Sequence, residues 1–352
     1  MSKDNNEEKQ RLIRRIERDI QVLVDELKTT NSPHRARDII NSIVVYINIV
    51  RMNDLVVFCP LETEFEMRKV SEDRIKKYDL KYDKAYLDNN INLVKKFNHK
   101  MCKISDYFKK RYDLPDNIKM YQSVSQDETF RLAQNFLEQY DDDVYNHYMD
   151  IKDKDIFTCK LQDGEPGDTF RVSKNTYAYL LIDPSNSIFD AFTLVHEVMH
   201  SYVEKNTTTM NEKEENLYFS NNCLEVYSIF IELLFYDYLK MINYQNYDLE
   251  NYYSYFISCL CKNLEDYKKS KYIDPNSQRY SYGYILAYHF YGQYQKDKEK
   301  AKENIYKFMI ESKSHNLDYM FNNYGLNSAD LLNPQRIEQH TIKRLERKFK
   351  KN

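Results

Sequence analysis

Apolar and polar positions recur with a helical period over residues 6–30. Leu12, Ile13, Ile16, Ile20, Leu23, Val24 and Leu27 fall on one face among Lys, Arg, Asp and Glu, which predicts an amphipathic helix. Asn31-Ser32-Pro33 stops it. Ser32 as N-cap and Pro33 as first residue then predict a second helix to about Met52. A short extended piece is expected over 55–60, and one long helix or two over 71–112. Leu114-Pro115-Asp116 breaks the pattern. It divides the chain into an N-terminal helical region, 1–115, and a second domain, 116–352.

In the second domain Ser125, followed by Gln126-Asp127-Glu128, caps a helix to about Tyr140. Periodicity fails over 151–183. Short strands are expected at 155–160 and 169–172, joined as a hairpin around Gly164 and Gly167. A further strand is expected at 176–182 (TYAYLLI). Residues 185–187 form a turn, and a helix starts near 187–190. A polar connection over 205–216 leads to a helix over about 221–241. Residues 299–313 and 328–350 read as two more helices, the last ending in the basic run KRLERKFKK, a solvated helix end favoured by its dipole.

Composition sharpens this to a mainly α fold with a small β-sheet. Glycine and proline number only five and seven in 352 residues, so tight turns are few. A 42% hydrophobic and 30% charged chain is globular. The net charge of −3, with both signs mixed along the chain, argues against nucleic acid or an anionic membrane as partner. The polar start MSKDNNEEKQ is no signal peptide, and no apolar run approaches a membrane span. The six cysteines match no zinc knuckle or C-x-x-C pair and read as buried free thiols. A cytoplasmic location is expected.

One stretch carries chemistry. Residues 192–201, FTLVHEVMHS, contain His196-Glu197-Val198-Met199-His200. Positions four apart share a helix face, so both imidazoles can meet one ion. Two imidazoles are half of a tetrahedral zinc site, and a glutamate beside them can take a proton from water. On the following helix Glu225, Ser228 and Glu232 stand at offsets 0, +3 and +7, again on one face. A carboxylate in the apolar run LEVYSIFIELLFYDYL needs a partner, because an unpaired buried charge is costly. Coordination of a metal by Glu225 provides one.

These residues resemble the thimet oligopeptidase/oligoendopeptidase F family of zinc metallopeptidases. The likeness lies in AYLLIDPSNSIFDAFTLVHEVMHSY, in Glu225-Val226-Tyr227-Ser228-Ile229-Phe230-Ile231-Glu232, and in Arg279-Tyr280-Ser281-Tyr282-Gly283-Tyr284-Ile285-Leu286-Ala287. It spans about 123–294. It implies a helical zincin-like domain with a small sheet next to the metal helix. It also implies one Zn2+ per chain held by His196, His200 and Glu225. Glu197 is then the general base, Tyr284 the phenol that stabilises the oxyanion, and a peptide the substrate. In peptidases of this design an edge strand holds the substrate extended, a role that falls to 176–182. Ser228 and Asp190 are candidates to orient the ligands, Asp190 equally to cap its helix.

Two positions depart from the family pattern. Met199 stands where members usually have glycine, and 271–279 lacks the histidine that usually precedes the tyrosine run. His289 is the nearest replacement. The expected function is hydrolysis of short or unstructured peptides by metal-activated water. The competing readings are a metallated relative that grips a peptide or partner without turnover, and a helical protein with an accidental motif.

Overall fold

The computed structural model describes residues 3–29, 33–53, 55, 102–114, 120–161, 166–170, 178–207, 223–270, 275–315, 317–326 and 335. The chain divides into two compact units, Met1–Ile91 with Ile151–Pro184, and Asn92–Asp150 with Ser185–Asn352.

The first unit is built on α1 (Lys3–Thr29) and α2 (Pro33–Met52). Of the periodic positions in α1, Leu12, Ile16, Ile20, Leu23, Val24 and Leu27 are buried, and Ile13 is half-buried. They share a core with Ile39, Ile43, Tyr46 and Ile49 of α2, each burial worth about 1.5–3 kcal/mol. Pro33 opens α2 as its fixed φ favours; Ser32 lies outside the described residues.

The unit's sheet contains β1 (Ile156–Thr158), β2 (Gly167–Phe170) and β3 (Tyr179–Ile182), in the order β1-β3-β2. Ile156 pairs in parallel with Leu180, and Thr169 antiparallel with Leu180. The expected hairpin between the first two strands is therefore absent: β3 lies between them. Nor is β3 an edge. All four of its residues are buried, the mark of a central strand, and Tyr179 and Leu181 pack into the α1–α2 core. With both backbone edges paired, residues 179–182 cannot take up a substrate strand. Arg11 and Arg15 lie over the Phe157 and Tyr179 rings at 5.0 and 5.1 Å, and Arg15 bridges to Asp155 at 3.1 Å.

The second unit is helical. Residues 102–111 precede α3 (Gln126–Tyr140), α4 (Asp142–Ile151), α5 (Ile188–Thr207) and α6 (Glu225–Met241). Then come α7 (Asp248–Ser270), α8 (Pro275–Tyr294), α9 (Lys298–Glu311) and α10 (Leu317–Asn323). Ser125 caps α3 as expected, its Oγ accepting from Glu128 N at 3.2 Å. The helix α6 is buried almost all round, Val226 to Phe235 included, so it runs through the core with α5 and α8 against it. Phe192 of α5 stacks on Tyr252 of α7 at 4.0 Å and meets Phe235 of α6 edge-on at 4.9 Å.

The polar connection expected from 205 starts later, because α5 continues to Thr207. Residues 208–216, all of 71–101, 56–60 and all but Gln335 of 328–350 lie outside the described residues. No described helix is long and apolar enough to cross a membrane. The described cysteines, Cys102, Cys159, Cys223, Cys259 and Cys261, are free, and all but Cys259 are buried.

Candidate metal centre

The turn 185–187 fixes where α5 begins. Asn186 adopts φ 55°, a left-handed conformation asparagine tolerates. Asp190 accepts hydrogen bonds from Ser185 N (2.9 Å), Ser185 Oγ (2.5 Å) and Asn186 N (2.9 Å). Asp190 therefore organises the helix start; its contacts are with the turn rather than with the histidines. One and a half turns on, His196 and His200 emerge on one face, rings 4.7 Å apart and 70° to one another. Met199, between them in sequence, is fully buried, so its side chain belongs to the core beneath the site.

The helix α6 brings Glu225 to the same point. His196 Nε2 lies 3.0 Å from His200 Nε2; Glu225 Oε2 lies 3.1 Å from the first and 3.3 Å from the second. Three ligand atoms on a tetrahedral zinc, each about 2.0–2.1 Å from it, would stand roughly 3.3 Å apart. Glu225 Oε2 is buried without a well-aligned hydrogen bond, as an atom awaiting a cation would be. Two imidazoles and a carboxylate are a donor set that zinc takes. These residues fit the ion.

The charges answer one another. Burial works against ionised Glu225, and the His200 and His196 imidazoles overcome it, holding the carboxyl well below its usual range. Burial likewise disfavours the His196 imidazolium, and the Glu225 and Glu232 carboxylates outweigh it, so its pKa lies well above normal.

Behind the first histidine stands a second carboxylate. His196 Nδ1 and Glu232 Oε1 form a short contact, and Tyr252 OH donates to Glu232 Oε2 at 2.5 Å. A carboxylate on the far nitrogen fixes the imidazole's tautomer and orientation. The sequence placed Glu232 on the correct face without giving it this task. Tyr252 carries no sequence signal at all; only the packing of α7 brings it there. Ser228, the other residue on that face, is buried and its Oγ has no partner among the described residues.

The tyrosine run lies on α8, which approaches α6 closely at Gly283. A Cβ on that residue would stand 2.7 Å from both Glu225 Cβ and Ile229 Cδ1. Tyr284 is buried, with its ring centroid 6.4 Å from that of Tyr280. One turn earlier Tyr280 is 40% exposed. The Glu225 carboxylate, with burial and then Glu197 and Glu232, holds the Tyr280 phenol well above its ordinary pKa, so it stays a protonated donor. Arg279 places Nη1 3.7 Å from Glu225 Oε1. Tyr280 and Arg279 were visible only as members of the run. His289 is engaged elsewhere, with the Tyr324 carbonyl at 3.0 Å and the Gln293 amide at 2.9 Å, and does not replace the missing histidine. Glu197 is buried one residue from His196.

No protein-family model and no curated protein matches the sequence. Solved structures do match the fold. A protein assigned as an oligoendopeptidase F from Bacillus anthracis str. Ames gives a TM-score of 0.54 at 11% identity, over 92% of this chain and 68% of that one. A second structure assigned as an oligoendopeptidase F gives 0.52 at 9% identity, over 92% and 70%. At such identities the likeness is one of fold: this chain has a mainly α architecture with a small sheet, similar to that of these oligoendopeptidase F structures.

Proposed function

We propose that this chain is a zinc-dependent peptidase, related to the thimet oligopeptidase/oligoendopeptidase F enzymes, that hydrolyses short or unstructured peptides. The observation that carries the reading is the convergence of His196 Nε2 and His200 Nε2 of α5, the helix that also bears Glu197, with Glu225 Oε2 of α6, within 3.0–3.3 Å of one another. The fold likeness to the two oligoendopeptidase F structures points the same way.

In this reading His196, His200 and Glu225 hold Zn2+, which when bound acidifies water and polarises a carbonyl. Glu197 accepts the proton of the attacking water and passes it to the leaving amine. Glu232, braced by Tyr252, keeps His196 Nε2 aimed at the ion. The oxyanion is met by phenols from one face of α8, Tyr284 and the more open Tyr280, four residues apart.

Glu197→Gln tests this directly. It keeps the shape and removes the base. The expected result is loss of at least about 100-fold in cleavage of a peptide library, with metal content unchanged. A wild-type protein that carries zinc and cleaves nothing in the library would instead favour the peptide-gripping relative.

A further inference from the structure

A cavity of about 550 Å3 opens in the helical unit, lined by none of the residues assigned above. Its volume lies within the roughly 300–1,000 Å3 of small-molecule sites. Its wall carries five carboxylates, Asp141, Asp143, Asp150, Glu299 and Glu303, against two lysines, Lys205 and Lys302. Lys302 is already engaged by the Tyr140 carbonyl (2.9 Å), Glu299 (3.3 Å) and Asp141 (3.7 Å), and Glu303 by Lys307. Among the described residues Asp143 and Asp150 have no ion pair.

Those two aspartates share a face of α4 with His147, at offsets 0, +4 and +7. His147 is 1% exposed and forms part of the cavity wall. Its Nε2 lies 2.9 Å from Ser201 Oγ, and its Nδ1 has no partner among the described residues. Burial, with Lys205 nearby, pushes the imidazole pKa down to about 4, so the ring is neutral at pH 7. With Nε2–H donating to Ser201, Nδ1 offers a lone pair to a donor. Tyr202 and Tyr306, with ring centroids 5.9 Å apart, add aromatic faces.

Acceptors, unpaired carboxylates and aromatic faces are what an alkylammonium group seeks. A single metal ion suits the cavity less well. Among the described residues, the one set of His, Cys, Asp and Glu atoms that converges on a point is that of His196, His200 and Glu225. The carboxylates here are spread, as for charges distributed along a flexible chain.

We propose that this cavity binds alkylammonium ligands, with Asp143, Asp150 and His147 Nδ1 as acceptors and Tyr202 and Tyr306 as the aromatic walls. The ammonium groups would belong either to a free polyamine or to lysine side chains of a peptide.

Calorimetric titration of the full chain with spermidine, and separately with Nα-acetyl-lysine methylamide, tests the idea. Saturable binding of one equivalent is expected, weakened at least tenfold in Asp143→Asn/Asp150→Asn, whose side chains are exposed and whose fold should persist. Asp25→Asn, on an exposed carboxylate of α1, should leave it unchanged. Spermidine binding at least tenfold tighter than the lysine amide would identify a free polyamine; comparable binding would identify a lysine side chain. No saturable binding of either probe would overturn the site. So would equal weakening by Asp25→Asn, which would mark diffuse charge attraction.

Discussion

A histidine that ligates a metal must present one nitrogen bare and hold the other still. In His196 the two needs are divided between two carboxylates from one helix, Glu225 at Nε2 and Glu232 at Nδ1. The seven-residue offset of the two glutamates places them on the same side of α6, two turns apart, so a single straight helix reaches both ends of one imidazole. Tyr252 closes the chain of contacts by donating to the remaining Glu232 oxygen. Glu232→Gln keeps the volume and weakens the acceptor. We expect zinc affinity to fall about 10- to 100-fold while the far-ultraviolet circular dichroism stays unchanged, as measured by competition with a chromophoric chelator. Unaltered affinity would show that His196 needs no such support. The pattern E-x6-E was readable from the chain, but it said only that both carboxylates share a face. Which atom each one touches depended on the rotation of α6 against α5, which periodicity does not encode.

At the scale of elements, the site depends on how closely α8 lies on α6. Gly283 sets that approach: a methyl group there would stand 2.7 Å from Glu225 Cβ, an atom fixed to the backbone of α6, and 3.3 Å from the Glu225 carbonyl carbon. Gly283→Ala should therefore lose more by overpacking, about 1–3 kcal/mol, than the roughly 1 kcal/mol that alanine gains in a helix. Urea unfolding is expected to show a net loss, accompanied by reduced metal content because Glu225 is pushed from its place. A variant as stable as the wild type, with full metal, would contradict the close contact. Elements were legible where one face alone is buried. The α1 stripe from Leu12 to Leu27 and the Pro33 start of α2 are of this kind. They were less legible where burial is all round or pairing is distant. The α6 helix is buried on every side, so its apolar residues gave no orientation beyond the shared face of Glu225, Ser228 and Glu232. The β3 residues Tyr179–Ile182 are buried on both faces, and nothing local says that they separate β1 from β2 rather than follow a hairpin. Strand pairing is decided by long-range contacts, here with the α1–α2 core.

At the scale of the molecule, the second unit brings together groups that would repel or starve one another if left dry. Glu225, Glu232 and Glu197 are all nearly buried beside His196, and burying such charges is costly unless each is matched. A divalent cation among the two imidazoles and Glu225, as proposed, would supply a match, and its binding energy would then also stabilise the fold. The three candidate ligands come from two helices separated by a stretch of chain, and His196-x3-His200, with Glu225 29 residues after His196, pointed to the convergence that these atoms have. Tyr252, Arg279 and Tyr280 were not found in the same way, because the helices that carry them reach the site only through packing. If His196, His200 and Glu225 form one zinc site, the metal content of wild type and Glu225→Ala prepared without chelator, measured by mass spectrometry, should be about one zinc per wild-type chain and much less in the variant. Wild type without zinc, or a variant with its zinc undiminished, would contradict it.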